Sequence, residues 1–125
     1  MAYATPGEVL GVAKIGLGSG GLDATAPELG EFGRSLAALG DLDGDGTDDI
    51  AVGAPAARLG TNRSGAVHIL FLRPDRSVRS RRAIASGTGG FSGAIDSDDR
   101  FGSAVAAVGD LDGDGVIELA VGANG

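Results

Sequence analysis

Two acidic segments of almost identical sequence recur at a fixed spacing along this 125-residue chain. Residues 41–49 read Asp-Leu-Asp-Gly-Asp-Gly-Thr-Asp-Asp, and residues 110–118, which lie 69 positions later, read Asp-Leu-Asp-Gly-Asp-Gly-Val-Ile-Glu. Both segments have a Phe-Gly pair upstream and a Val-Gly-Ala sequence downstream. An acidic residue occupies every second position at the start of each segment, and the glycines permit a sharp reversal of the backbone. Carboxylates this close together repel one another, so the segments predict two loops that each hold a cation.

The ligand type indicates which cation these loops hold. Ca²⁺ takes carboxylate and carbonyl oxygens, whereas Zn²⁺ is bound mainly by sulfur and nitrogen. A loop of the EF-hand class would end with an acid at its twelfth position and continue into a helix. The twelfth positions here are Val52 and Val121, which cannot ligate a metal, and they lie in short apolar runs typical of strands. We therefore predict calcium loops that connect strand to strand and close with Asp49 or Glu118. An acidic turn without a metal is the alternative, and the repetition of the same acids in both copies argues against it.

The 69-residue repeat extends beyond the loops and predicts an all-β fold. At the same offset Ile15 matches Ile84, and Phe32 matches Phe101. A long fixed period is typical of propellers and solenoids, in which one supersecondary unit is stacked many times. Within one period, mainly apolar runs bounded by turn residues predict three strands, at residues 35–39, 50–54 and 66–72, and residues 78–84 are predicted to form a fourth. Four short antiparallel strands make one blade of a β-propeller, so the chain is predicted to hold about two blades.

Several short motifs stand in a fixed order within this pattern. They are Phe32-Gly33-Arg34-Ser35, Gly40-Asp41, the acidic loop, Val52-Gly53-Ala54-Pro55 and Gly65-Ala66-Val67. With these motifs the chain resembles the FG-GAP repeat family, the propeller repeats of integrin α subunits, in its bacterial type. The resemblance implies a calcium ion in the turn between the first and second strands of each blade. The ligands that it implies are Asp41, Asp43, Asp45, the Thr47 carbonyl and Asp49 in the first loop, and Asp110, Asp112, Asp114, the Val116 carbonyl and Glu118 in the second.

The chain departs from the family pattern at three positions. Ala104 stands in place of the usual Ser, Asn124 in place of Pro, and Glu118 in place of Asp. Only Glu118 bears on the metal. Its side chain is one methylene longer than that of Asp49, which predicts weaker calcium binding at the second loop.

The period also predicts how the chain is divided and how it assembles. Residues 1–31 are predicted to supply the last strand or strands of a blade and an inter-blade loop, residues 32–100 a full repeat, and residues 101–125 a partial repeat. Propellers close with about four to eight blades, and fewer than two periods fit here. We therefore expect either that the chain is part of a longer propeller or that copies associate head to tail, with residues 1–15 of one copy completing the last blade of another. Three copies would give six blades and four would give eight.

Composition limits the choice of partners and compartment. The net charge is −7, but nine of the seventeen acids lie in the two loops, which leaves eight acids against ten bases elsewhere. Nucleic-acid binding is therefore not indicated. The chain has no cysteine, and no apolar run approaches the length of a membrane span. Exported calcium modules bind their ion at roughly 10⁻⁴–10⁻³ M, so the loops predict an extracellular or cell-surface location.

Four other features are better explained by structure than by chemistry. The Gly-rich residues 16–21 match a phosphate-binding pattern but lack a following helix, so we interpret them as a loop. His68 lies inside an apolar run and is expected to be a strand residue. Asp96, Asp98 and Asp99 are expected to form a solvated turn rather than a glycosidase pair. The arginines at 73, 76, 79, 81 and 82 are interpreted as charges on an outer edge strand, with polyanion binding as the alternative.

These observations predict a non-enzymatic module with a structural or adhesive role. A protein or a glycan is the expected ligand, and calcium is expected to stiffen the blades. The alternative is an accessory propeller of an extracellular enzyme that processes polysaccharide or phospholipid. The chain offers no apparent nucleophile or base for such a reaction.

Overall fold

A computed structural model describes residues 13–59, 63–90, 95–115 and 117–124 of the chain. The described part contains six strands and one short 3₁₀ helix. The strands are β1 (Ser35–Gly40), β2 (Asp49–Ala54), β3 (Ala66–Leu72), β4 (Val78–Ile84), β5 (Phe101–Gly109) and β6 (Glu118–Ala123). The 3₁₀ helix spans Ala26–Leu29.

The first four strands form one antiparallel sheet in the order β1-β2-β3-β4. Each strand pairs with the next along the chain, which is the arrangement of a propeller blade. The four predicted strands are confirmed, and β1 and β2 are each one residue longer than predicted. Strand β4 lies at an edge of this sheet, as the interpretation of its arginines requires. We call this sheet the first blade.

Strands β5 and β6 form a second antiparallel sheet that repeats the first half of the blade. The repetition includes an irregularity at the end of the first strand. Gly40 pairs with Asp49 after a register shift, and Gly109 pairs with Glu118 after another. Each blade thus has an irregularity at the residue pair that flanks its acidic loop. The closing acids Asp49 and Glu118 therefore begin their strands in the same local geometry. We call this sheet the second blade.

The two blades pack face to face around an apolar core. The first blade contributes Leu39, Ala51, Val67 and Ile69, and the second contributes Phe101, with Val105, Leu119 and Val121 packed against them. Cross-strand pairs such as Ala51 with Ile69 place these side chains on one face of the first blade. Because β-strand side chains alternate between faces, the other face of the first blade is left for a different neighbour.

The backbones of the two blades come into close contact at glycine residues. A Cβ at Gly53 would collide with the carbonyl oxygen of Gly102, and a Cβ at Gly102 would collide with that of Ala66. The Ser35 hydroxyl donates a hydrogen bond to the Gly102 carbonyl at 2.9 Å. The Phe-Gly and Val-Gly-Ala motifs therefore meet across the blade interface, where their glycines permit this contact.

The opposite face of the first blade, which we call the leading face, carries Phe32, Gly33, Leu36 and Ile50. Leu36 is 64% exposed. An apolar groove of about 270 Å³ lies on this face, and Ile15 from the N-terminal segment lines it together with Leu70. The leading face corresponds, 69 positions earlier, to the face of the second blade that packs on the first.

The second blade has its own uncovered face, which we call the trailing face. Its residues are Ala104, Ala106, Val108, Ala120 and Gly122, of which all but Gly122 are exposed. They correspond to the positions of the first blade that the second blade covers. The described residues therefore contain one complete blade interface and the two halves of another.

A tight turn also recurs at the repeat spacing. Gly16 and Ser19 exchange backbone hydrogen bonds at 3.2 and 3.0 Å, and Ala85 and Thr88 exchange bonds at 3.2 and 3.0 Å. The Gly-rich segment 16–21 forms this turn and leads into no α-helix, in agreement with its interpretation as a loop. No helix in the described part of the chain is long and apolar enough to cross a membrane.

Candidate metal centre

The first acidic loop folds around its own carboxylates. Asp41 accepts hydrogen bonds from the backbone N–H groups of Asp45 at 3.1 Å and Gly46 at 2.7 Å. Gly44 and Gly46 have φ angles of 75° and 88°, which a residue with a side chain rarely adopts. The loop glycines therefore allow the reversal that turns these N–H groups toward the Asp41 carboxylate.

Asp49 links this loop to the interior of the blade. Its side chain is fully buried and accepts hydrogen bonds from the backbone N–H groups of Leu42 at 3.1 Å and Leu72 at 3.0 Å. The carboxylate therefore connects the loop to β3. Carboxylate oxygens of Asp41, Asp43 and Asp49 lie within 4.8 Å of one another. Oxygens this close, each with a lone pair remaining, can surround one hard cation.

The second loop repeats this geometry. Asp110 accepts hydrogen bonds from the backbone N–H groups of Asp114 at 3.0 Å and Gly115 at 2.7 Å. The Leu111 N–H donates to Glu118, as the Leu42 N–H does to Asp49. Four carboxylates converge here within 4.8 Å, those of Asp110, Asp112, Asp114 and Glu118. The longer Glu118 side chain is thus accommodated in the cluster, although it is only partly buried.

Backbone hydrogen bonds also favour the ionised form of the first acid in each loop. The Gly46 N–H lowers the pKa of Asp41, and the Gly115 N–H lowers the pKa of Asp110. Since a metal ligand must be deprotonated, both loops hold these acids in the form that binds a cation.

The structure brings together most of the predicted ligands. Seven of the eight predicted carboxylates belong to the two clusters, and the exception is Asp45. Asp45 instead accepts a hydrogen bond from the Thr47 N–H at 2.9 Å. Thr47 and Val116 were predicted to ligate through their carbonyls. The Thr47 carbonyl stays a prediction, and Val116 lies outside the described residues.

One contact in the first loop was not foreseen from the sequence. Arg79 on β4 pairs with Asp43, and its Nε lies 3.5 Å from Asp45 Oδ2. The arginine-rich strand was visible in the sequence, but nothing there indicated that β4 and the loop meet. Among the other arginines of this strand, Arg81 is also engaged, and Arg82 forms none of the ion pairs found in the described part of the chain.

A buried polar cluster lies on the side of the first blade that faces away from the second blade. His68 has no exposed surface, and its Nε2 lies 2.8 Å from the Glu28 carbonyl oxygen, which can only accept. Nε2 therefore carries the proton, and Nδ1 accepts a hydrogen bond from Arg81 Nη1 at 3.2 Å. Arg81 also pairs with the Glu28 carboxylate at 3.1 Å. The expectation that His68 is a strand residue is confirmed, and its side chain anchors the 3₁₀ helix to β3 and β4.

This cluster predicts a loss of stability in mild acid. Burial lowers the pKa of His68 below its usual 6.5, and a second proton would face the Arg81 guanidinium, while Glu28 is the only carboxylate described in the cluster. The unfolded chain therefore takes up the proton first as the pH falls below about 6.5. We expect the free energy of unfolding in urea, with calcium saturating, to fall by about 1 kcal/mol between pH 7.5 and 5.5. The variant His68→Gln should lose this dependence, and an equal slope in both proteins would contradict the assignment.

Asp96, Asp98 and Asp99 lie in a turn before β5, as expected. The Asp96 N–H donates to Asp99 Oδ2 at 2.8 Å, and the Asp98 N–H donates to the Arg63 carbonyl at 2.8 Å. Asp96 and Asp98 are exposed. The Asp99 N–H donates to the Asp96 carbonyl at 3.2 Å and closes the turn, and the Asp98 bond fastens this turn to residue 63.

The fold and the acidic loops define an all-β repeat protein that carries a candidate cation site between the first two strands of each blade. Comparison with known proteins identifies the repeat. Residues 32–70 match the model of the FG-GAP repeat family. This range runs from the Phe-Gly pair before β1 to the middle of β3 and includes the first loop.

Similarity to integrin α subunits extends over most of the chain. Integrin alpha pat-2 of Caenorhabditis briggsae is 43% identical over 98 residues, which cover 77% of this chain and 7% of that protein. Integrin alpha-5 of Xenopus laevis is 41% identical over 98 residues, covering 78% of this chain and 9% of that protein. Integrin alpha-M of Mus musculus is 34% identical over 96 residues, covering 77% and 8%. The chain thus spans less than a tenth of the length of these relatives. All three are animal proteins, so they give no support to the expected bacterial type of repeat.

Proposed function

We propose that this chain is a calcium-binding β-propeller module with a structural or adhesive role. The observation that carries the proposal is the convergence of carboxylates in two equivalent loops at the same place in two blades. All the side-chain donors are hard oxygens, which suits Ca²⁺ and not a thiophilic metal. The backbone N–H groups that hold Asp41 and Asp110 orient the carboxylates before an ion arrives.

The proposed ligands are the predicted sets in both loops, including Asp45 and the carbonyls of Thr47 and Val116. A bound Ca²⁺ would neutralise the repulsion within each loop and fix the turn between the first two strands of a blade. In the first blade the effect would reach further, because Asp49 also accepts a hydrogen bond from the N–H of Leu72 on β3.

Isothermal titration with calcium tests this proposal directly. We expect two binding sites, with dissociation constants of roughly 10⁻⁴–10⁻³ M. The variant Asp41→Asn should remove one site and Asp110→Asn the other, since each loses a charge at the centre of one loop. Absence of calcium binding to the folded parent protein would overturn the proposal.

The two loops should also differ in their contribution to stability. Asp45 is expected to be a ligand of the first loop, which closes with Asp49, whereas the longer Glu118 is expected to weaken binding at the second loop. We therefore expect Asp45→Ala to lower the free energy of unfolding more than Asp114→Ala, by about 1 kcal/mol. Calorimetry in calcium measures both losses, and the reverse order would count against the ranking.

The module is proposed to act outside the cell or at its surface. Calcium sites of this affinity are filled in extracellular fluid and empty in most cytosols. The similarity to integrin α subunits favours recognition of a protein or glycan ligand over catalysis. Loss of ligand binding after chelation would support this role, whereas turnover of a glycan or phospholipid by the isolated chain would favour the accessory-enzyme alternative.

Self-association is proposed to complete the propeller. The second blade packs on the first inside the chain. The leading and trailing faces carry the residues equivalent to the two sides of that interface. A second copy can therefore place its Phe32 and Gly33 on Ala104 and Gly122, as Phe101 and Gly102 pack on the first blade. Residues 1–15 were predicted to complete the last blade of another copy. Of these, residues 1–12 lie outside the described residues, and Ile15 lines the groove on the leading face of the first blade.

A further inference from the structure

The fifth residue of each acidic loop, Asp45 or Asp114, is placed differently although the backbone hydrogen bonds around it are alike. The Asp45 N–H lies 3.4 Å from Asp43 Oδ1, and the Asp114 N–H lies 3.1 Å from Asp112 Oδ1. The hydrogen bonds to Asp41 and Asp110 also match within 0.1 Å. Yet Asp114 belongs to its carboxylate cluster and Asp45 does not. The difference therefore lies in the side chain of Asp45 and its surroundings.

Arg79 lies beside Asp45 in the first loop. It lies at the start of β4, and its guanidinium is shared between Asp43 and Asp45. The same guanidinium lies 5.9 Å from the centre of the Phe71 ring, within the range of a cation–π contact. Phe71 and the two acids thus hold the positive charge beside the loop. Asp45 Oδ2 lies 3.5 Å from Arg79 Nε, and Asp45 is not a member of the carboxylate cluster of the first loop.

We propose that Arg79 is an internal competitor of the cation at the first loop. Its guanidinium neutralises Asp43 and Asp45 when the ion is absent, and it must give up at least the Asp45 carboxylate for that ligand to reach a bound ion. This inference rests on the proposed calcium binding and concerns its regulation. Arg79 stabilises the empty loop and raises the calcium concentration at which the loop fills.

The expected size of the effect follows from the exposure of the pair. Arg79 is 43% exposed in its side chain, and Asp43 and Asp45 are 25% and 32% exposed, so solvent screens their attraction. Exposed ion pairs are worth little, and a network of this kind shifts an equilibrium by about three- to tenfold. The first loop is therefore expected to bind calcium about three- to tenfold more tightly without Arg79.

The experiment isolates the first loop in the full-length chain. A background variant that carries Asp112→Asn and Asp114→Asn disables the second loop, and calcium is titrated into this background with and without Arg79→Gln. The matched control is Arg82→Gln, which removes the same charge from an exposed position on the same strand. We expect the dissociation constant to fall about three- to tenfold for Arg79→Gln and to change less than twofold for Arg82→Gln.

The melting temperature in EDTA supplies a second measurement, in which Arg79→Gln is expected to weaken the protein rather than to strengthen calcium binding. Without calcium, Arg79→Gln should melt about 1–3 °C below its background, because the loop loses its internal counter-charge. In saturating calcium this difference should shrink or reverse. Equal calcium affinity in the Arg79→Gln and Arg82→Gln variants would overturn the inference and leave the proposed function intact. Weaker binding by Arg79→Gln would also overturn it, by making Arg79 a support of the site. Absence of calcium binding in the background and the parent alike would instead refute the proposed function.

Discussion

Removal of calcium is expected to lower the melting temperature of this protein by about 10–20 °C. At 10 mM, calcium is at a ten- to hundredfold excess over dissociation constants of roughly 10⁻³–10⁻⁴ M and stabilises the folded state by about 1.4–2.7 kcal/mol per site. Two filled loops would therefore contribute about 4 kcal/mol, and each kcal/mol moves the melting temperature of a domain of this size by roughly 3–5 °C. Differential scanning calorimetry in 10 mM calcium and in excess EDTA measures the shift.

The physical reason lies in the number of charges that the loops bring together. Five carboxylates occur within nine residues at the first loop, and only Arg79 offsets them among the ion pairs described. A double variant with Asp41→Asn and Asp110→Asn serves as the control. It should melt at the same temperature in calcium and in EDTA. Identical melting curves for the metal-loaded and the chelated parent protein would contradict calcium-coupled stability.

The blade itself was predictable because its signals are local. Each of β1 to β3 is a mainly apolar run bounded by glycine, proline or an acidic loop, and all four strands of the first blade lie within one residue of their predicted bounds. The carboxylate clusters were predictable for the same reason, since consecutive odd positions of a tight loop converge on one point. Because the second loop repeats the acids of the first, the same prediction applied to it.

Contacts between distant segments were not predictable in the same way. Arg79 and Asp43 are 36 positions apart, and their meeting depends on how β4 lies beside the loop. His68 was recognised as a strand residue, but its bonds to Glu28 and Arg81 require the position of a 3₁₀ helix 40 residues earlier. That helix was missed, although Thr25 and Glu28 form a Thr-x-x-Glu pattern typical of a helix start.

Association of copies into a closed ring is the second large effect that we expect. The first blade buries one face against the second, and in the described part of the chain Leu36 on the leading face and most residues of the trailing face stay exposed. Head-to-tail contacts repeat until the rotation closes a ring. Light scattering in calcium should therefore report about three or four times the 12.2 kDa mass of the chain.

Gly122 provides a variant that separates assembly from folding. A Cβ at Gly122 would lie 3.4 Å from Ala104 Cβ, which is ordinary contact, whereas a Cβ at the corresponding Gly53 would collide with the next blade. Gly122→Ala should therefore fold and yet fail to accept the Gly33 backbone of another copy. We expect this variant to scatter as a 12.2 kDa monomer with an unchanged far-ultraviolet circular dichroism spectrum.

Ala104 provides the matching change in the opposite direction. Its counterpart Ser35 donates a hydrogen bond to Gly102 across the internal interface, and Ala104 has no hydroxyl to donate to the Gly33 carbonyl of another copy. Since one such bond is worth about 1 kcal/mol, Ala104→Ser should lower the dissociation constant of each contact about fivefold. A parent protein that remains monomeric at high concentration in calcium, together with an Ala104→Ser variant that also remains monomeric, would refute the ring. The two faces would then belong to contacts with further blades of a longer propeller.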